Sequence, residues 1–234
     1  MNPLWAALAQ RAGVALTYAQ AALLNRYLDL LLETNQRMNL TRIEDRASAE
    51  VQHVGDALTL LPFLPAGAIR IADVGTGGGV PGVPLAVARP ETQVVLVEAT
   101  QKKAAFLRQA VESLALTNVR VIAQRAEEVG LGSERETFDV VVARAVGTMV
   151  WLAEWCLPLV KRRGKFLAMK GPRVAEELVD AAKAIRLLGG GPPVVHPAEL
   201  PGFSGRVIVE IAKIARSDTR YPRPATQAKG KAIA

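Results

Sequence analysis

Residues 69–82, with the sequence IRIADVGTGGGVPG, constrain the fold more than any other segment of the chain. An apolar run ends in a carboxylate, Asp73, and is followed at once by a glycine-rich loop and an apolar stretch. Glycine lacks a Cβ, so it adopts positive φ and lets the backbone pass close to a ligand. A strand, a glycine loop and a helix in this order predict the ligand-binding edge of a parallel α/β sheet.

The glycine loop fits two cofactor-binding patterns. Residues 77–82 match the G-x-G-x-x-G spacing of dinucleotide-binding proteins. If the strand instead ends at Asp73, Gly75 is the glycine of the tight turn and Val80 takes the third position. A carboxylate before the turn is poorly placed beside a pyrophosphate, but it can receive the ammonium of an amino-acid-bearing ligand directly or through water. The residues therefore favour S-adenosylmethionine, with a nicotinamide dinucleotide as the alternative.

A second carboxylate supports a nucleoside-type ligand. Glu98 closes the apolar run 94–97, and an acid about 20 residues after the glycine loop commonly holds ribose hydroxyls on such sheets. Apolar residues then recur with helical spacing across 106–114. A lone glutamate at a strand end is usually solvated, but the order and spacing together predict a nucleoside site.

Apolar periodicity divides the chain into three parts. Residues 1–65 are predicted to be helical, with helices across 23–32 and 47–61. Residues 66–212 are predicted to form a mainly parallel sheet with interleaved helices, and residues 213–234 a flexible tail. Strands are expected near 69–74, 94–98, 119–123, 140–143, 165–169 and 206–211, the last in a terminal hairpin.

Composition limits the class of protein. The net charge of +7 is concentrated after residue 212, where six basic residues and one acidic residue lie. Such a tail is either solvated or contacts the phosphates of a nucleic acid without recognising its base sequence.

No apolar run approaches the ~20 residues of a membrane span, and the first ten residues lack the basic group of a secretory signal. The single cysteine, Cys156, is expected to be buried and free, so a cytoplasmic protein is expected.

Several motifs together resemble the RsmG family, also called GidB. They are DVGTGGGVPGVPLAVARP at 73–90, QKKAAFLRQ at 101–109, FDVVVARA at 138–145, FLAMKG at 166–171, MNLT at 38–41 and HVGDAL at 53–58. The resemblance covers residues 20–212. It implies a class I S-adenosylmethionine-dependent methyltransferase fold: a Rossmann-like, mainly parallel seven-stranded sheet with helices on both faces and an N-terminal helical extension.

The implied activity is methylation of guanine N7 at position 527, in the 530 loop of bacterial 16S ribosomal RNA. The implied partner is that RNA or the small ribosomal subunit, and a monomer without metal or membrane is expected. A methyltransferase acting on a small molecule or protein stays open, as does a nicotinamide oxidoreductase or a non-catalytic nucleotide-binding scaffold. The cofactor that the protein prefers would separate the oxidoreductase and the scaffold from the two kinds of methyltransferase. The choice between an RNA acceptor and a small-molecule or protein acceptor rests on the family resemblance.

Residues that follow strands are the candidates for the cofactor site, because ligands bind outside the carboxyl ends of parallel strands. The family resemblance points to several of the same positions. The expected cofactor-binding residues are Asp73, Gly75, Thr76, Gly77, Gly79, Val80, Glu98, Ala99, Thr100, Ala126, Glu127 and Arg144.

The acceptor side is less sharply defined by the sequence. Guanine N7 carries a lone pair and no hydrogen, so no general base is expected, and Arg144 is a candidate only for positioning. Lys170 and Arg173 follow the fifth strand, where they are either surface charges or phosphate ligands. His53 and Asp56 are three residues apart on one side of a predicted helix. The family resemblance places them at the RNA-binding rim of the active site, whereas their spacing favours a helix-capping or interhelical hydrogen bond. Val146 departs from the family pattern, in which a phenylalanine often follows the Arg-Ala pair.

Overall fold

The computed structural model describes residues 1–228 and 230–233. Within them, seven strands form one sheet in the order β3-β2-β1-β4-β5-β7-β6. The strands are β1 Arg70–Val74, β2 Gln93–Val97, β3 Val119–Ile122, β4 Phe138–Arg144, β5 Val160–Lys170, β6 Val194–Pro197 and β7 Val207–Ala212. The neighbours from β3 to β5 are parallel, whereas β7 pairs antiparallel with both β5 and β6. The predicted mainly parallel sheet with an antiparallel hairpin at its edge is confirmed.

Helices cover both faces of this sheet. They are α1 Pro3–Arg11, α2 Tyr18–Met38, α3 Arg46–Ala49, α4 Asp56–Leu58, α5 Gly82–Ala88, α6 Gln101–Ser113, α7 Ala126–Leu131, α8 Met149–Cys156, α9 Val174–Leu187 and α10 Ala225–Ala228. One face packs against the N-terminal helices with α5 and α6, and the other against α8 and α9. Burial of two continuous apolar layers is what holds a strand–helix–strand chain in this arrangement. No helix among the described residues is both long and apolar enough to cross a bilayer.

The N-terminal helical region shares its core with the sheet. Trp5, Leu24 and Leu28 are fully buried in the same apolar cluster as Ile71 and Leu96 of the central strands. Helix α2 begins with a capping box, in which the side chains and backbones of Thr17 and Gln20 exchange hydrogen bonds. The helices before residue 66 therefore pack as one layer of the sheet domain rather than as a separate module.

The predicted helix across 47–61 is interrupted in the structure. α3 continues into a π-helical segment, Glu50–Gly55, before α4, and a 3₁₀ turn follows at Leu61–Phe63. A π-helical turn displaces backbone carbonyls from the usual helical pattern and is frequent at functional sites. This segment carries Gln52 and His53, which face the sheet edge described below.

The basic C-terminal segment is packed against the domain, which differs from the flexible tail expected from its composition. Lys213 is fully buried, and its Nζ donates to the Leu157 and Leu188 carbonyls at 2.7 and 2.8 Å. Arg223 pairs through its side chain with Glu154, a buried carboxylate on α8. Composition alone misses these partners because they come from distant parts of the chain. Lys229, which was counted in the tail, lies outside the described residues.

Candidate methyltransferase site

Asp73 organises the glycine loop from within. It is fully buried at the end of β1, and its Oδ2 accepts hydrogen bonds from Thr76 Oγ1 at 2.6 Å and from the Gly82 N–H at 2.7 Å. These bonds join the two ends of the loop. Burial disfavours the charged form and raises the pKa of Asp73 to about 6, although both hydrogen bonds act in the opposite direction. Because Asp73 has no exposed surface, the expected direct contact with a ligand ammonium is not available in this conformation, and the carboxylate shapes the loop instead.

Two positions of the loop, Gly75 and Gly82, leave too little space for a Cβ atom. Gly75 has a φ of +67°, and a Cβ placed there would lie 2.6 Å from Val146 Cγ2. A Cβ on Gly82 would collide with the Leu96 side chain and lie 2.9 Å from Asp73 Oδ2. The first glycine allows the loop to turn beside Val146, two residues after β4, and the second allows α5 to begin directly against the sheet.

Glu98, directly after β2, is held in place by hydrogen bonds from two backbone N–H groups. Its Oε2 accepts a hydrogen bond from the Gly77 N–H at 3.0 Å, and its Oε1 accepts one from the Thr100 N–H at 2.7 Å. The carboxylate is nearly buried. Each carboxylate oxygen has a second lone pair, so the group can also accept hydrogen bonds from two ribose hydroxyls. Glu98 thus joins the end of β2 to the glycine loop.

Two cavities meet at Gly75. The larger is a cleft of about 960 Å³ between the glycine loop and the N-terminal region. The smaller, about 130 Å³, lies under the ends of β2 and β3. Gly75 lines both, and Val146 lines the smaller one beside it. The cavities form the two ends of one site along the carboxyl edge of the sheet.

The predicted cofactor residues divide between these cavities. Gly75, Thr76, Gly77, Val80 and Arg144 line the cleft. Ala99, Ala126 and Glu127 line the smaller pocket together with Gly75. Asp73, Gly79, Glu98 and Thr100 are not among the residues that line either cavity. Asp73 and Glu98 each accept a hydrogen bond from a backbone N–H of residues 77–82.

Arg144 connects three parts of the chain at the floor of the cleft. Its Nη1 donates to the Gln52 carbonyl at 2.6 Å and to Asp56 Oδ2 at 3.1 Å. Its Nη2 lies 3.1 Å from His53 Nδ1. Asp56 also pairs with Arg206, which precedes β7. The side chains of His53 and Asp56 therefore bond to a loop residue and to residues at strand ends, rather than to another helix. Both residues line the cleft.

His53 is neutral in this arrangement. Burial, together with the adjacent Arg144 guanidinium, lowers its pKa from 6.5 to about 3. A neutral imidazole that is already hydrogen-bonded to Arg144 and Thr41 is a structural element of the cleft wall. It does not serve as a base at neutral pH.

Arg206 is a charged residue of the cleft that the sequence analysis did not single out. In the sequence it is simply the first residue of the stretch 206–211, which was predicted as the last strand. The hairpin of β6 and β7 carries it across to Asp56, which is 150 residues away in the chain.

Lys170 does not have the free side chain expected of a phosphate ligand. It donates to the Gly147 carbonyl at 2.9 Å and pairs with Glu177 at 2.6 Å. Glu177 in turn accepts from the Met149 N–H at the start of α8. Lys170 therefore supports the turn after β4, whereas Arg173, at the start of α9, is exposed. Within the described part of the chain, no cluster of three or more His, Cys, Asp or Glu side chains could hold a metal.

Comparison with known proteins agrees with this geometry. The model of the GidB family, described as rRNA small subunit methyltransferase G, matches residues 20–199. The Ribosomal RNA small subunit methyltransferase G of Chloroflexus aggregans is 42% identical over 212 residues, which cover 90% of this chain and 89% of that protein. The protein of the same name from Sorangium cellulosum is 51% identical over 173 residues, covering 73% of this chain and 72% of that protein.

A solved structure confirms the fold class. TYW2 of M. jannaschii in complex with AdoMet has a TM-score of 0.51 at 18% identity, covering 73% of this chain and 77% of that chain. At this identity the likeness shows only the fold, which is that of class I methyltransferases. The strand order, the glycine loop and the family match lead to one conclusion: this chain belongs to the GidB family of rRNA small subunit methyltransferases G.

Proposed function

We propose that this protein transfers a methyl group from S-adenosylmethionine to N7 of guanine 527, in the 530 loop of bacterial 16S ribosomal RNA. Methylation of ribosomal RNA is the activity of its family, and the methyl donor is S-adenosylmethionine. The observation that carries the proposal is the meeting of two cavities at Gly75, one of them a cleft with room for a base. A volume of about 960 Å³ is at the upper end of the range for small-molecule sites.

The residues on either side of Gly75 are suited to the parts of the cofactor. The small pocket at Ala126 and Glu127 can take adenine, and Glu98 can hold the ribose. The backbone of residues 75–78 lies along the cleft, where it can hold the amino-acid end. When bound, the cofactor would supply an electrophilic methyl group for transfer to the base.

The chain does not need to remove a proton in this reaction. Guanine N7 attacks with an in-plane lone pair, and the positive charge of the sulfonium passes to the purine. Positioning of the two reactants can supply roughly 7 to 11 kcal/mol. The cleft is consistent with this, because His53 is neutral and both of its ring nitrogens are engaged. Arg144 instead fixes the floor of the cleft through Gln52 and Asp56.

The surroundings of the cleft suit a nucleic-acid partner. Arg42, Lys103 and Arg206 line it, and the chain carries a net charge of +7. Basic side chains around a base pocket contact phosphates and position an RNA without reading its sequence. Exposed Arg173 stays a proposed contact, whereas Lys170 is held by Gly147 and Glu177. We infer that the protein acts in the cytoplasm, where its ribosomal substrate would be found.

The test is methyl transfer from labelled S-adenosylmethionine to small subunits that lack the modification. Borohydride and aniline then cleave the RNA at N7-methylguanine. We expect one cut, in the 530 loop, that is lost in Glu98→Ala and kept in Glu112→Ala, a matched change at an exposed glutamate of α6. Label at another site or on another atom would contradict the proposal. A protein that binds S-adenosylhomocysteine but labels no RNA would favour a small-molecule or protein acceptor.

A further inference from the structure

Thr41 is held rigidly at the wall of the cleft. Its N–H donates to Asn35 Oδ1 at 2.8 Å, and its Oγ1 accepts a hydrogen bond from the Ile43 N–H at 3.1 Å. The same Oγ1 lies 3.1 Å from His53 Nε2. Thr41 is half-buried and lines the cleft with Arg144 and Asp56. The mechanism described above does not use its hydroxyl group.

The direction of the hydrogen bonds around Thr41 follows from Arg144. A guanidinium has only donors, so His53 Nδ1, at 3.1 Å from Arg144 Nη2, must be the acceptor. The neutral imidazole then carries its hydrogen on Nε2 and donates it to Thr41 Oγ1. With a second donor from Ile43, both lone pairs of the hydroxyl are occupied. The hydroxyl hydrogen is therefore left free to donate toward the cleft.

We propose that the Thr41 hydroxyl donates a hydrogen bond to O6 of the target guanine and so distinguishes guanine from adenine. This inference rests on the proposed function. O6 lies beside N7 on the same edge of guanine and accepts hydrogen bonds, whereas adenine has an amino donor at that position. A hydroxyl whose lone pairs are already occupied can satisfy a carbonyl, but it cannot accept from an amino group. A hydroxyl group can normally both donate and accept hydrogen bonds. The hydrogen bonds from Arg144 to His53 and from His53 to Thr41 thus leave the Thr41 hydroxyl able only to donate.

The chemistry of the reaction indicates where the effect will be measured. Methylation at N7 withdraws electron density from O6, so this hydrogen bond is strongest before methyl transfer. An interaction that is not strengthened in the transition state contributes to binding of the RNA more than to the chemical step. Loss of the hydroxyl should therefore raise KM for the RNA, while kcat and KM for S-adenosylmethionine change little.

The experiment replaces the target guanine by 2-aminopurine, which keeps N7 but has hydrogen in place of O6. Small subunits are reconstituted with 16S RNA ligated to carry either base at that position. We expect wild-type kcat/KM to be about ten-fold lower for 2-aminopurine, the effect of one hydrogen bond. In Thr41→Val the two substrates should become equivalent, and Thr41→Ser should keep the wild-type preference.

The outcomes separate this inference from the proposed function. N7 methylation of guanine by the wild-type protein tests the function, whereas the ratio between the two bases tests Thr41. Equal rates of the wild-type protein on both bases would overturn the inference. This test needs no variant, so it can be made even if Thr41→Val folds poorly. An unchanged ratio in a folded Thr41→Val would also overturn it. A rise in KM for S-adenosylmethionine with an unchanged base ratio would assign the hydroxyl to the cofactor instead.

Discussion

Substitution of Asp73 by asparagine tests how the glycine loop is stabilised. Asparagine keeps a carbonyl oxygen that can accept from Thr76 Oγ1 and the Gly82 N–H, the two donors that now contact Oδ2. Its amide nitrogen would occupy the position of Oδ1, which is buried and has no partner among the described residues. The variant therefore preserves the loop connections and removes the buried charge, together with its titration.

The magnitude and sign follow from the pKa of Asp73, which rises from 3.8 to about 6 in the folded protein, mainly by burial. Between these values the folded protein holds a proton that the unfolded chain has released, so the free energy of unfolding falls as pH rises. This stabilisation is complete below pH 3.8 and is lost as the pH passes about 6. At about 1.36 kcal/mol per pH unit, the contribution is about 3 kcal/mol.

The assay is urea unfolding of both proteins from about pH 4 to pH 8, with the wild-type free energy of unfolding minus that of Asp73→Asn plotted against pH. The difference should decrease by about 3 kcal/mol toward pH 8. Asp139→Asn is the matched control. Although burial raises the pKa of Asp139, hydrogen bonds from the Arg70 N–H and Lys161 hold it below 3.8 overall, so this carboxylate stays ionised and its difference should stay nearly flat across this pH range. A flat curve for Asp73→Asn would refute the reasoning.

Three further changes test the site and its frame. Glu98→Ala removes the acceptor of the Gly77 and Thr100 N–H groups and the proposed ribose ligand. Calorimetry should therefore show at least a ten-fold weaker affinity for S-adenosylhomocysteine, a loss of about 1.4 kcal/mol of binding free energy. An unchanged affinity would contradict this role. Gly82→Ala forces a Cβ against Leu96 and should cost about 1 to 3 kcal/mol of unfolding free energy, whereas a neutral result would mean that α5 can shift. Arg223→Ala leaves the buried carboxylate of Glu154 unpaired and should cost about 3 to 5 kcal/mol in urea unfolding. A loss below about 1 kcal/mol would show that the C-terminal segment is not docked in solution.

The sequence by itself determined where the glycine loop and the second acid of the candidate site lie. Gly75 and Glu98 could be placed because a strand, a glycine loop and a second strand are recognised from residues close together in the chain. Periodicity and turn chemistry are local properties, so they identify the elements and the edge of the sheet where a ligand binds. The same local information suggested that Asp73 faces the ligand, and it could not show that Thr76 and Gly82 enclose the carboxylate.

The tertiary structure alone decided how the wall of the cleft is built. Arg144 meets Asp56 only because β4 ends beneath the π-helical segment of the N-terminal region, and Arg206 joins them from the last hairpin. Lys213, which belongs to a basic tail by composition, is buried because carbonyls far away in the chain accept its hydrogens. Local sequence fixes which charges and donors a chain carries. Whether a charged side chain is solvated or paired depends on groups that are brought to it by packing, and that packing is a property of the whole fold.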